Sequence, residues 1–461
     1  MESNVSKSTV QKEKLTLKEK IAYGMGDLGN GFLFDVGQTY LLKFYTDALG
    51  LPPVAAGSIF LVSKIWDAFA DIGIGTWVDS RKKFGARGKF RAFILYAALP
   101  LALATIASFT NPHLSVDGNL IWAYLTYMIF GSVYSMSNIP YGSMAPAMTR
   151  DTNDRAQLAS FRQAGSNMAL LLTTVGFMPI VLLFSNQSTG YLSAVGFFAV
   201  LGVLCQLFCY ANIKERYVAE KPKDSKVKLS TSYKSILKNA PLLILCIVNL
   251  FTFSAFNVKQ GVQVYYCQYV LKQVYILPYM GFFSIGCVFL AVALVPFTLK
   301  RLDKKHTYMI GCAIWAVGDI LAYLFANNAI AFILFACLAY FGSGFVNSLN
   351  WVLISDAVEY GEWKTGNRSE GIVYSFFTFF RKLSQAIAGF IPGIVLAWVG
   401  YVPNAEQSTT ALMGIRGLMF IYPGVLLIAT IIVMGIFYKL SNKKYESMMK
   451  ELNERKGIAS V

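Results

Sequence analysis

Charge is scarce in this sequence. Only 14% of its 461 residues are Asp, Glu, Lys or Arg, well under the roughly 25% of soluble domains, whereas 55% are hydrophobic. A chain of this balance is expected to have lipid as its solvent. Histidine is scarcer still: His113 and His306 both lie between apolar runs, so no His-based metal site or proton relay can be built from them. The seven cysteines fall in or at the edge of apolar runs and none is in a CxxC pair, which argues against a disulfide framework or a cysteine metal site. Phosphate-cradling Gly-rich strand-to-helix motifs and nucleophile elbows are missing. Enzymatic chemistry and an ATP-driven pump are therefore excluded as expectations, and no cofactor is expected.

Long apolar runs are what the chain does have. About 20 residues of helix cross a ~30 Å hydrocarbon core, and twelve runs of that order lie between residues 27 and 438. An all-α integral membrane fold of twelve helices is expected. The polar start "MESNVSKSTVQKEKLTLKEK" has no cleavable signal, so the first run should be a retained helix. Basic residues concentrate in alternate loops, among them "DSRKKFGARGKFR", "IKERYVAEKPKDSKVKLSTSYKSILKNA" and "KLSNKKYESMMKELNERKG", while "ALGLPPV", "SNQSTGY" and "PNAEQSTT" have none. This asymmetry places both termini in the cytoplasm, with the chain a multi-pass protein of the cell inner membrane. It also accounts for the net charge of +16 without a compact basic domain, so nucleic acid is excluded as a partner.

The longest polar interruption divides the runs six and six. The expected organisation is a cytoplasmic segment 1–22, a six-helix bundle 23–212, a cytoplasmic linker 213–240, a second bundle 241–438 and a cytoplasmic tail 439–461. Two such bundles would hold a cavity near the bilayer midplane.

Within the second run, "SKIWDAFADIG" places Lys64, Asp67 and Asp71 three and four residues apart, on one stripe of a helix. Ionisable groups at membrane depth face a bundle interior or a water-filled cavity. The bland reading is a structural Lys64–Asp67 pair. A second carboxylate exceeds what one lysine needs, and two adjacent carboxylates favour a shared proton or a bound cation. Other spans carry polar groups at helical spacing: Asp27, Asp35 and Gln38 flank Gly31 in the first, where something should approach the backbone closely. Tyr134, Ser135, Asn138 and Tyr141 lie in the fourth; Asn257, Gln260 and Gln263 in the seventh with Lys259 beside them; Asn347, Asn350 and Trp351 in the tenth; Thr378, Arg381 and Lys382 in the eleventh. Amides and hydroxyls with aromatic faces suit a polyhydroxylated ligand, although interhelical hydrogen bonding uses the same residues.

Over its whole length the chain resembles the glycoside-pentoside-hexuronide:cation symporters of the major facilitator superfamily. The resemblance rests on "KIAYGMGDLGN", "FYTDALGL", "WDAFADIGIGTWVDSRKKFGARGKFR", "NIPYGSMAPAMT", "DAVEYGEWKTGNRSEGIVYS" and "GYVPNAEQST" in this order. It implies two pseudo-symmetric six-helix bundles, alternating access, and sugar transport coupled to H⁺, Na⁺ or Li⁺. By resemblance, Asp67 and Asp71 correspond to the family's cation-site carboxylates, Ser135 to its hydroxyl and Lys382 to the lysine beside both sites. Arg162 corresponds to a sugar-holding arginine. Melibiose-type members have two sugar-binding aspartates where this chain has Gly31, preceded by Asn30, and Asn138.

Those replacements make the pocket less negative beside Arg162, Arg381 and Lys382, which suits an anionic glycoside, a glucuronide before a pentoside or xyloside. Sodium-using members place an amide one residue before the second aspartate; here it is Ala70. Oxygen ligands for Na⁺ are then few, and H⁺ is the expected coupling ion. Protonation should release Lys382, and loops such as "NDRAQ" should link the bundles on the cytoplasmic side in the outward-open state. The expected protein is a monomeric H⁺-coupled glycoside symporter in the lipid bilayer. Its alternatives are a Na⁺-coupled symporter, a multidrug exporter and a sugar sensor without flux.

Overall fold

The computed structural model describes residues 14–80, 87–149, 151–217, 239–326, 328–366 and 370–455. The middle of the 79–91 loop, most of the expected linker 213–240 and both ends of the chain lie outside the described residues. Among the described residues the structure is helical, without strands.

The first part comprises α1 (Leu17–Lys43), α2 (Pro53–Ser80), α3 (Arg91–Ser108), α4 (Val116–Gly142), the short α5 (Met144–Met148), α6 (Thr152–Leu182) and α7 (Gln187–Asn212). The second comprises α8 (Ala240–Tyr265), α9 (Leu277–Leu299), α10 (Lys304–Phe325), α11 (Ala329–Thr365), α12 (Glu370–Trp398), α13 (Thr409–Arg416) and α14 (Tyr422–Phe437), followed by α15 (Asn442–Arg455). Side-chain caps start these helices where orphan N–H groups would otherwise be left. Thr16 and Glu19 form a capping box on α1, and Ser115, Asn186, Asn239, Asn328 and Ser408 cap α4, α7, α8, α11 and α13.

Ten stretches among the described residues are long and apolar enough to cross a membrane. The sequence expectation was twelve. The two that fall short by that measure, α1 and α4, are each 27 residues long. They carry much of the polar lining discussed below, including Asp27, Asp35, Ser135 and Asn138.

Helix α1 packs on α6 and α7, α3 on α4 and α7, and α2 on α4; α8 packs on α12 and α14, α9 on α11, and α10 on α11 and α14. The two bundles so formed meet through α2 with α12, α6 with α9 and α1 with α8. Within each bundle, small residues let backbones touch, the usual membrane device where no hydrophobic force drives helices together. A Cβ on Gly165 of α6 would fall on the carbonyl of Gly24 in α1, and one on Gly342 of α11 would fall on the carbonyl of Gly311 in α10.

At the basic-loop end, Lys20 Nζ donates to Asp154 Oδ1 at 2.7 Å and to Gln157 Oε1 at 2.7 Å, and the Leu15 amide donates to Asp154 Oδ2 at 3.2 Å. Thus Asp154, of the "NDRAQ" loop, bonds to its own bundle in this conformation. Asp154 precedes the apolar part of α6, and the Lys20 hydrogen bond, with the Leu15 amide, holds its carboxyl below the usual aspartate range. A depressed folded-state pKa contributes stability above the free aspartate value, about 3.9, that is lost as pH falls through the depressed one. Asp154→Asn should therefore lower the melting temperature in detergent by roughly 2 °C at pH 7. The difference from the parent protein should shrink as the pH falls through that depressed value.

Candidate functional site

The expected charged stripe of α2 faces other helices. Lys64 Nζ lies 3.0 Å from Asp67 Oδ2 within α2, and its ammonium sits 5.6 Å from the Phe34 ring of α1 and 5.7 Å from the Tyr127 ring of α4. The structural pairing of Lys64 with Asp67 is thus present. Asp71, one turn on, accepts from Ser135 Oγ of α4 at 2.5 Å and from Lys382 Nζ of α12. The bond from Lys382 to Asp71 is one of the hydrogen bonds that join the two bundles.

The two carboxylates differ in access. The side chains of Asp71 and Lys382 are each 26% exposed, against 7% for Asp67. Among the described residues Asp67 Oδ1 is buried without a hydrogen-bond partner, and a Cβ on Gly131 would land on it. Only glycine at position 131 leaves this oxygen its space.

A second cluster lines the space between α1, α4, α6 and α12. Arg162 Nε donates to Asp27 Oδ2 at 2.6 Å and its Nη2 to Asn138 Oδ1 at 3.2 Å, with the guanidinium 5.0 Å from the Tyr141 ring. Tyr134 lies within electrostatic range of Asp27, Asp35, Arg162 and Arg381. Arg381 lies over the rings of Phe253 at 4.6 Å and Trp351 at 6.0 Å. No acid is within ion-pairing distance of it among the described residues. Asp27 is paired with Arg162, whereas the Arg381 guanidinium lies over aromatic faces.

The remaining expected sugar ligands scatter. Asn30 is buried, and its Oδ1 accepts from Ser137 at 3.1 Å and Gln206 at 2.8 Å. It ties α1 to α4 and α7 instead of facing a solute. The backbone at Gly31 is approached by Ala169 of α6, where a Cβ would collide; the close neighbour is a helix. Asn350 Oδ1 accepts from Tyr308 at 3.0 Å, so it too braces its own bundle. Gln260, with Gln263, Thr174 and Tyr340, lines a cavity of about 10 Å³ between α6, α8, α9 and α11, room for about one water. Behind it Lys259 bonds to Asp319 of α10. Asn347 is half-buried, Thr378 is exposed, and Trp351 stacks on Tyr374 and meets Phe377 edge to face. The sequence reading leaves out Gly131, Phe253 and a buried Lys43–Asp47 pair; the last is signalled in "KFYTD" by the four-residue spacing that marks Asp67 and Asp71. Among the described residues no group of His, Cys, Asp and Glu is arranged to hold a metal ion.

A family model described as "MFS/sugar transport protein" matches residues 22–442. The chain belongs to this family. It is 52% identical over 446 residues, 96% of this chain and 97% of the relative, to a Salmonella typhimurium protein provisionally named 2,3-dihydroxypropane-1-sulfonate exporter. It is 49% identical over 443 residues, 96% and 95%, to an Escherichia coli protein provisionally named sulfoquinovose importer. To the Escherichia coli glucuronide carrier protein homolog it is 33% identical over 456 residues, 97% of each. Its fold matches the crystal structure of a D-xylose-proton symporter with a TM-score of 0.67 at 15% identity, covering 91% of this chain and 97% of that one. This major facilitator sugar transporter is thus a multi-pass membrane protein, in bacteria of the inner membrane, and not an enzyme. The resemblance to the glycoside-pentoside-hexuronide symporters agrees with these relatives.

Gly131→Ala places a methyl group on Asp67 Oδ1 and is expected to lower gradient-driven accumulation of the transported solute roughly tenfold in proteoliposomes. Gly196→Ala, where a Cβ meets nothing within 4 Å, should leave accumulation unchanged.

Proposed function

We propose that this transporter carries a small anionic polyhydroxylated solute together with a proton, by alternating access, as a monomer. The observation that carries the reading is the contrast between Arg381, which has no acid within ion-pairing distance among the described residues, and Asp71, which is held by Lys382, the next residue after Arg381. Counting the charged groups of the two clusters gives Asp27, Asp35, Asp67 and Asp71 against Lys64, Arg162, Arg381 and Lys382, which is neutral when all are ionised. An anion entering alone would leave net charge in a low-dielectric cleft, and so would a cation. A proton and a monoanion entering together keep the balance.

The chemistry follows from where the proton goes. On Asp71, the more accessible carboxylate, it cancels the attraction for Lys382 and frees an ammonium one residue along α12 from Arg381. An added mobile cation on the helix that carries the planar Arg381 fork raises the attraction of the cleft for an oxyanion. When the anion leaves, Lys382 returns to Asp71 and expels the proton. Because the Lys382–Asp71 bond joins α12 to α2, the same event unties and reties the bundles. Sodium is disfavoured because the Asp71 oxygens are already taken by Ser135 and Lys382, leaving few ligands for a cation that wants six.

For the anion, a sulfonate is favoured over the glucuronide expected from sequence. Charge alone does not separate them; the relatives that share about half their residues with this chain carry sulfonate names, and the one named for glucuronide shares a third. A sulfonate offers three acceptor oxygens and stays ionised through the physiological range.

Counterflow in proteoliposomes tests the reading. Sulfoquinovose or 2,3-dihydroxypropane-1-sulfonate should exchange, glucuronides more weakly, and neutral xylosides not at all; transport of xylosides in preference to both acids would overturn it. Arg381→Lys should raise KM for the anion about tenfold or more. Asp71→Asn should abolish accumulation driven by an acid-outside gradient while exchange persists, and stimulation by Na⁺ at fixed pH and potential would refute proton coupling.

A further inference from the structure

Away from both clusters, the end of α1 holds a second pair of opposite charges that the transport chemistry does not use. Lys43 and Asp47 are bonded to each other, and both side chains have no solvent exposure. An ion pair one turn apart on one helix could form anywhere; what makes this one dry is the other bundle. Tyr269 donates to Asp47 Oδ2 at 2.6 Å and Tyr401 donates to Asp47 Oδ1 at 2.6 Å. Asn404 Nδ2 donates to the Asp47 carbonyl at 2.7 Å, and Thr46 meets Tyr265 hydroxyl to hydroxyl at 2.8 Å. The Lys43 ammonium lies 3.2 Å from the Tyr269 hydroxyl, 4.4 Å from that ring and 4.8 Å from the Tyr265 ring. Both oxygens of one carboxylate on the first bundle are thus gripped by phenols of the second.

Local backbone geometry supports this meeting. The end of α1 loosens into a π turn at Phe44–Ala48, and the end of α8 does the same at Tyr266–Val270. Each wider turn puts the gripping groups, Thr46 and Asp47 on one side and Tyr269 on the other, at the seam. Neighbouring close approaches lie toward the same end: Gly57 and Phe60 of α2 against Gly389 and Gly393 of α12, and Gly281 of α9 against Thr174 of α6. This is the end expected to face outside.

Energetics make the seam reversible. A buried ion pair is repaid for its lost hydration only when its remaining lone pairs are hydrogen-bonded. Thr46 of the same turn donates to Asp47 Oδ1 at 2.7 Å, and the other bonds come from across the seam, so the pair is satisfied dry when the bundles are closed and satisfied by water when they part. Neither state strands a charge. A purely apolar seam would favour closure without this counterweight.

We propose that Asp47, gripped by Tyr269, Tyr401 and Asn404 and neutralised by Lys43, is a reversible latch that closes the outer end of the transport path. Its opening hydrates the pair and its closing dries it. The inference rests on alternating access and is independent of which solute is carried.

Hydrogen–deuterium exchange on the full chain in lipid nanodiscs tests it. Tyr269→Phe and Tyr401→Phe, singly and together, keep the rings and remove the grip. Each lost hydroxyl bond to a carboxylate should raise exchange about tenfold in residues 44–51, 266–273 and 399–405. Exchange at the opposite end, in residues 151–157 and 240–246, should slow as the population moves toward the outward-open state. Unchanged exchange at the outer segments would overturn the latch. Faster exchange at both ends would also overturn it, because that is loosening of the fold. Should the double variant fail to fold, the two single variants still give the graded reading. None of these residues belongs to the proposed solute or proton clusters, so solute affinity measured by direct binding should survive even where the proposed function proves wrong.

Discussion

An ionised side chain inside hydrocarbon has to find its opposite charge, and the placement of nearly every polar helix face in this transporter follows from that. Where the partner sits decides what the pair does. Asp27 of α1 meets Arg162 of α6, and Lys259 of α8 meets Asp319 of α10, each inside one bundle. Asp71 meets Lys382 across the two. Pairs of the first kind brace a bundle; a pair of the second kind has to be breakable if the bundles are to move, and a proton on a carboxylate is the least intrusive way of breaking it. Lys64–Asp67 and Lys43–Asp47 form a third kind, self-paired along one helix. Such pairs are content in water as well as in a dry seam, which fits positions whose hydration changes.

The fold was legible because period and composition are local properties. Runs of about 20 apolar residues, and the spacing that puts Lys64, Asp67 and Asp71 on one stripe, are readable without knowing any neighbour. What lay opposite was not. Nothing in the spacing of Asn30 tells that Ser137 and Gln206 will occupy its carbonyl, and Gly31 announces a close approach without naming Ala169. Asn350 is similar: an amide looks alike whether it faces a solute or a tyrosine on a neighbouring helix, and Tyr308 occupies its Oδ1. Resemblance supplied Lys382 as a partner because that information is carried by three-dimensional relatives and not by the segment around it. Gly131 was silent, since the space it leaves matters only once Asp67 Oδ1 is placed in it.

The two arginines show how similar residues acquire different jobs from packing. Arg162 has an aspartate, an asparagine and a tyrosine ring around it. Arg381 lies over the rings of Phe253 and Trp351, whose faces attract a guanidinium without cancelling its charge. A composition count sees two positive charges; the structure separates one paired with an aspartate from one laid over aromatic rings.

The glycine contact between α1 and α6 has a mechanical corollary. With Gly24 and Gly165 at backbone contact, α1 and α6 pack at close range along an extensive interface, and the two are expected to travel as one plank. Asp27 and Arg162 ride on that plank, and their separation is expected to be invariant throughout the cycle. A ruler fixed on these two residues would therefore serve as the stationary reference frame against which displacement of α12, with Arg381 and Lys382, is gauged.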